Sequence, residues 1–166
     1  MAVPRPLLGA ALALGTLLTA CAGPGGLAPG VPANELTRRL GPPSAEYTLA
    51  PEAGSPATRR LEYTGGTFGK TTHMLDLDAS GRLVANTQVR SEPYFNRVQP
   101  GMTEAEVLRT IGMPSERFFI RFQSMMLWSY RYDTPICQWF QVGLREGRVA
   151  EASFGPDPMC FNDNAS

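Results

Sequence analysis

Histidine occurs once and cysteine three times in 166 residues, and a single lysine stands among 15 basic side chains. These shortages exclude much chemistry. His73 has no second imidazole and no Cys-x-x-Cys pair to complete a zinc site or a thiolate–imidazole couple. The chain also lacks a nucleophile elbow, an HExxH helix, a phosphate loop and a dinucleotide fingerprint. No catalytic, metal-binding or cofactor-binding residue is therefore expected, and the chain does not read as an enzyme. Charge of one sign is missing as well: 15 basic residues face 15 acidic ones. A nucleic-acid partner, which calls for a basic surplus, is not expected. Finally, no apolar run is long enough to cross a bilayer of about 30 Å as a helix.

The longest uncharged run, Pro6–Ala20, has another use. Arg5 precedes it and small residues close it, the form of a secretory leader. Leu18-Thr19-Ala20-Cys21 resembles the bacterial lipobox, which implies that residues 1–20 are removed and that Cys21 is acylated. Each buried methylene of such a lipid contributes about 0.8 kcal/mol to membrane binding. Ala22 in place of aspartate implies, by the same resemblance, an outer-membrane protein anchored by lipid and facing the periplasm. Residues 21–30, rich in glycine and proline, read as a flexible tether. Cys137 and Cys160 then remain as an even pair in an oxidising compartment. A structural disulfide between them is the favoured reading, with a reactive thiol or a metal ligand as the alternative.

An internal repeat organises the rest. A shift of 71 positions lays Pro29–Tyr47 on Pro100–Phe118 without a gap, with 7 identities in 19. Leu61-Glu62-Tyr63 answers Trp128-Ser129-Tyr130, and Gly81-Arg82-Leu83 answers Gly147-Arg148-Val149. Two units are expected, 31–90 and 91–166, the first a degenerate copy of the second. In the second copy Thr103-Glu104-Ala105-Glu106 is a capping box, Met102 and Val107 are spaced as a hydrophobic staple, and Gly112 with Pro114 ends a helix over 103–111. Another short helix is expected from Ser91 to Arg97. Strands are expected at 117–123 and 126–132, and at 136–144 and 148–154 around the turn Arg145-Glu146-Gly147. In the first copy Pro32 replaces the capping threonine, a helix is expected over about 33–40, 49–58 reads as loop, and 60–64, 72–78 and 82–89 read as strands. The fold class is α+β: tandem units, each with one or two short helices on a three- to four-stranded antiparallel sheet.

The run Val98-Gln99-Pro100-Gly101-Met102-Thr103, with Glu106-Val107, Ile111-Gly112-Met113-Pro114, Trp128-Ser129-Tyr130 and Gly147-Arg148-Val149, resembles the BamE/SmpA/OmlA family of small outer-membrane lipoproteins. The resemblance implies two helices on an antiparallel sheet and a β-barrel assembly machinery as partner. The duplication departs from that family's single unit and is similar to tandem β-lactamase-inhibitory proteins. Two readings follow: a protein-binding scaffold of the outer membrane serving barrel assembly or envelope integrity, and an inhibitor of a periplasmic or secreted enzyme.

Candidate sites are few. Asp76-Leu77-Asp78-Ala79-Ser80-Gly81 opens like a calcium loop, but Thr87 stands where the bidentate glutamate belongs, so a hairpin turn is favoured. His73 is expected to be structural. Alternation places Phe118, Ile120, Trp128 and Tyr130 on the core side and leaves Phe119, Arg121 and Arg131 to meet an envelope protein partner.

Overall fold

The computed structural model describes residues 23–52 and 54–162. The chain opens with one helix, α1 (Ala33–Leu40), and four strands, β1 (Ala45–Thr48), β2 (Ala57–Gly65), β3 (Thr71–Asp78) and β4 (Leu83–Gln88). Two helices follow, α2 (Glu92–Phe95) and α3 (Glu104–Ile111), then β5 (Glu116–Ile120), β6 (Met125–Tyr130), β7 (Gln138–Arg145) and β8 (Arg148–Pro156), and a last turn of helix, α4 (Met159–Asn162). Each set of strands pairs in sequence order as an antiparallel meander, so the fold is α+β with two four-stranded sheets.

The repeat is visible in the hydrogen bonds as well as the sequence. Gly30 N–H donates to Leu83 at 2.7 Å, and its counterpart Gly101 donates to Val149 at 2.8 Å. Arg82 and Arg148 each donate to the carbonyl of the same glycine, Gly30 or Gly101, at 2.9 Å. Both helices end on a glycine with positive φ and extended ψ, Gly41 at 83° and Gly112 at 80°, a backbone shape that costs other residues about 1–3 kcal/mol. They differ at the start. Thr103 caps α3 through Glu106 N–H, and the Glu106 carboxylate returns to Thr103 N–H at 2.7 Å. Pro32 gives α1 no such bond. Hydrogen bonds from the Thr103 backbone and hydroxyl hold the Glu106 carboxyl below its ordinary range. Its contribution is present above the unfolded pKa and disappears as the pH falls through the folded one. We expect Thr103→Ala to lower stability by about 1 kcal/mol in chemical denaturation, and Pro32→Ala to show no comparable loss of a cap.

Two cores and four layers result. Leu36 of α1 is fully buried against Leu61, Tyr63, Leu75, Leu77 and Leu83 on one face of the first sheet. Phe95 of α2 with Val107 and Ile111 of α3 pack on Trp128, Tyr130, Phe140 and Val142 of the second sheet. The back of α3 meets the other face of the first sheet: Arg60 Nη1 donates to Arg109 O at 2.6 Å, and Met113 N–H reaches the Glu62 carboxylate at 3.0 Å. The order of layers is α1, first sheet, α2 with α3, second sheet.

Three expectations need correction. Of the tether expected over 21–30, the described residues 23–30 pack on the first unit: Leu27 joins its core and Asn86 donates to Pro24 O at 2.5 Å. The strand expected over 117–123 stops at Ile120: residues 121–123 form a 3-10 turn that reverses the chain through Ser124, φ 49°. Residues 45–48 add an edge strand, and 57–58 belong to β2 rather than to the loop before it.

Candidate protein-binding face

The repeat fixes which positions of the two sheets correspond. Tyr47 faces Arg60 across β1 and β2, and Arg60 faces Asp76 across β2 and β3. In the second sheet the same row reads Phe118, Leu127, Gly143. The next row reads Glu62 and Met74 in the first sheet, Ser129 and Gln141 in the second. Both rows lie on the face turned away from the unit's own helix.

In the first sheet that face is polar and covered. The Arg60 guanidinium grips the Asp76 carboxylate with bonds of 2.5 and 2.7 Å. Glu62 is fully buried and accepts from Tyr47 Oη at 2.6 Å, Thr64 Oγ1 at 2.9 Å and Met113 N–H. Burial, then the bond to Glu62, pushes the Tyr47 phenol up. Arg90, 2 % exposed, donates from Nε to Thr72 at 2.9 Å and from Nη2 to Met113 O, and lies 4.8 Å from the Tyr130 ring centre. Desolvation pulls its guanidinium down to about 10. These are the contacts by which the second unit sits on the first.

In the second sheet the corresponding strip along β5 is apolar and exposed, while the Ser129–Gln141 row beside it is polar. Phe118, counterpart of the half-buried Tyr47, is 66 % exposed, and Phe122 beyond it is 87 % exposed. Ile120 and Leu127 are half-buried beside them, with Met125 buried beneath. The charged row of the first sheet has its cover and the apolar strip along β5 has none among the described residues, the reverse of what water alone would favour. That inversion marks the face as a candidate binding surface.

The residues expected there scatter. Phe119 is 50 % exposed on the helix-side face, opposite Met126, and Arg121 is exposed on the turn. Arg131 does not join them: it is buried, donating to Asp157 at 2.8 Å and contacting Glu116 at 2.7 Å, and its guanidinium lies over Trp139. Its charge is committed inside the fold. Phe118 and Ile120 are corrected in the opposite direction. Trp128 and Tyr130 alone of the four expected core residues are buried, because α2 and α3 cover the face of β6 that bears them, while Phe118 points to the other face. Alternation separates two faces of a strand without saying which one another layer will cover.

The remaining candidates are structural. Cys137 and Cys160 are bonded to each other, with Cα atoms 6.2 Å apart, and the link holds the last helix beside β7. Cys137 lies just before that strand at φ 48°. Replacing both cysteines by serine is expected to lower stability by about 3 kcal/mol in the chain-entropy account, read as a lower urea midpoint. Asp78 accepts from Ser80 N–H, Ser80 Oγ and Arg82 N–H, an Asx turn that uses the carboxylate internally. His73 pairs with Asn86 at 3.0 Å. Among the described residues no group of three or more His, Cys, Asp or Glu side chains could hold a metal ion, and no helix is long and apolar enough to cross a membrane. Cys21, the expected acylation site, lies outside the described residues.

No family model matches the chain, and no curated protein matches it. Among solved structures it is similar to a Streptococcus mutans protein described as a "putative beta-lactamase inhibitor protein". The identity is 12 %, the match covers 80 % of this chain and 87 % of the other, and the TM-score is 0.32.

Proposed function

We propose that this chain is a protein-binding adaptor, held at the outer membrane by a lipid on Cys21 and engaging an envelope partner through the outer face of its second sheet. The observation that carries the reading is the inversion between the two sheets. Tyr47, Arg60 and Asp76 are matched to a covering unit, whereas Phe118 and Phe122, with Ile120 and Leu127 half-buried beside them, offer an apolar strip with no cover among the described residues. The family resemblance of the sequence makes the barrel-assembly machinery the first partner to test. The lipobox resemblance supplies the membrane attachment.

Capture from detergent-solubilised envelope tests the reading. Full-length bait should retain a defined protein, and Phe118→Ala with Phe122→Ala should lose it by tenfold or more while the thermal midpoint stays within about a degree, since the deleted rings are exposed. Phe119→Ala with Arg121→Ala asks the same of the edge. Recovery of barrel-assembly components supports the scaffold. Recovery of a single hydrolase, inhibited in stoichiometric proportion, supports the inhibitor reading instead. Undiminished capture by both double variants removes the proposed face.

A further inference from the structure

The outer edge of the second sheet is as unusual as its face. Among the described residues β5 pairs only with β6, so its other side presents free backbone donors and acceptors. Folded proteins blunt such edges with lysine, proline, bulges or a covering segment. The edge of β4 has a cover in the turn at Pro24–Gly26, and β8 exposes mainly small and polar side chains. β5 carries Glu116 and Arg117 but has no proline, lysine or bulge and no covering segment among the described residues, and Phe118 and Phe119 are both exposed.

We infer that β5 pairs antiparallel with β5 of a second copy of this chain, joining the two second sheets into one of eight strands. The register follows from charge. A two-fold axis through Phe118, the middle residue of the strand, sets Phe118 against itself, Arg117 beside Phe119 of the other copy, and Glu116 beside Ile120. An axis through Arg117 would oppose two arginines at the same position, and an axis through Phe119 would oppose Arg117 to Arg121. Only the Phe118 register uses the whole strand without a like-charged pair. It gives an aromatic cross-strand pair and two arginine–phenylalanine contacts, each worth about 0.2–1 kcal/mol. Side-chain parity is kept, so the two apolar outer faces merge into one platform with Phe118 at its centre. The inference concerns the strand edge and stands apart from which protein the outer face binds.

Disulfide trapping reads the register directly. Opposed residues of an antiparallel pair have Cα atoms about 4.5–5.5 Å apart, within the span of a disulfide. The full chain carrying Phe118→Cys, exported into an oxidising periplasm, should run as a covalent dimer on a non-reducing gel. Phe119→Cys, whose sulfur meets Arg117 of the other copy rather than itself, should not. Unsubstituted chain in mild detergent should sediment as a dimer, and Phe118→Glu as a folded monomer whose melting temperature no longer depends on protein concentration. A Phe118→Cys chain that stays monomeric, Phe119→Cys chains that cross-link equally well, or a monomeric unsubstituted chain at micromolar concentration would each overturn the pairing.

Discussion

Phe95→Ala is expected to cost about 3–5 kcal/mol, the range for deleting a ring from a closed core. Phe95 is fully buried and sits at the centre of the aromatic cluster. Its ring stacks on Phe140 at 4.6 Å and meets Tyr132 edge-on at 5.1 Å, with Phe154 at 6.2 Å and Tyr130 at 6.3 Å. The helix that carries it has four residues, too few to hold its shape by its own hydrogen bonds. Removing the ring therefore opens a cavity and also releases α2 from the sheet. Denaturation in urea is the measurement, with Phe118→Ala as the comparison. That ring is two-thirds exposed, so its loss should change stability by no more than about 0.5 kcal/mol. Equal losses at the two positions would mean that the second sheet is not packed on α2 as described.

The contrast between those two phenylalanines shows what could be read from the chain and what could not. The capping box, the helix-ending glycines and the repeat are local patterns, and each corresponds to a bond or a turn in the structure. Helix α1 occupies the expected residues 33–40 because Leu36 and the stop at Gly41 are both written in adjacent sequence. Phe118 is different. Its exposure depends on where the layers stop, and the layer that covers its counterpart Tyr47 comes from a helix some sixty residues further on. Arg131 shows the same limit from the other side: its partner Asp157 is 26 residues away, beyond two more strands. Glu62 lies in a strand whose alternation would send a carboxylate to water, and burial comes only when the second unit arrives. Self-similarity could have exposed this. Glu62 and Arg60 answer Ser129 and Leu127, and charge that is kept in one copy and lost in the other is a signal that the two faces have different neighbours.

Glu62→Ala is the second change with a large expected effect, about 2–3 kcal/mol, because it empties a fully buried site and leaves three part-buried donors without an acceptor. Met113 N–H, at 3.0 and 3.2 Å from the two carboxylate oxygens, has no other acceptor among the described bonds, and Tyr47 Oη loses its 2.6 Å partner. Glu62→Gln keeps one acceptor oxygen and should cost about half as much. The neighbouring glycine gives the more exacting test. A Cβ on Gly112 would lie 2.9 Å from Glu62 Oε1 and 3.1 Å from Thr72 Cγ2, at a φ of 80°. A Cβ on Gly41, at φ 83°, would meet nothing within 4 Å. Gly41→Ala should therefore cost the backbone strain alone, about 1–3 kcal/mol, and Gly112→Ala distinctly more. Because the Glu62 side chain is pinned by its donors, it cannot yield cheaply to the new methyl. In the Glu62→Ala background that collision is relieved, and Gly112→Ala should fall toward the cost seen at Gly41. A double-mutant cycle should show coupling of about 1 kcal/mol or more between positions 62 and 112 and none between 62 and 41. Strict additivity at both would mean that Glu62 is not the hinge pin between the units and that the first sheet's covered face is held by other contacts.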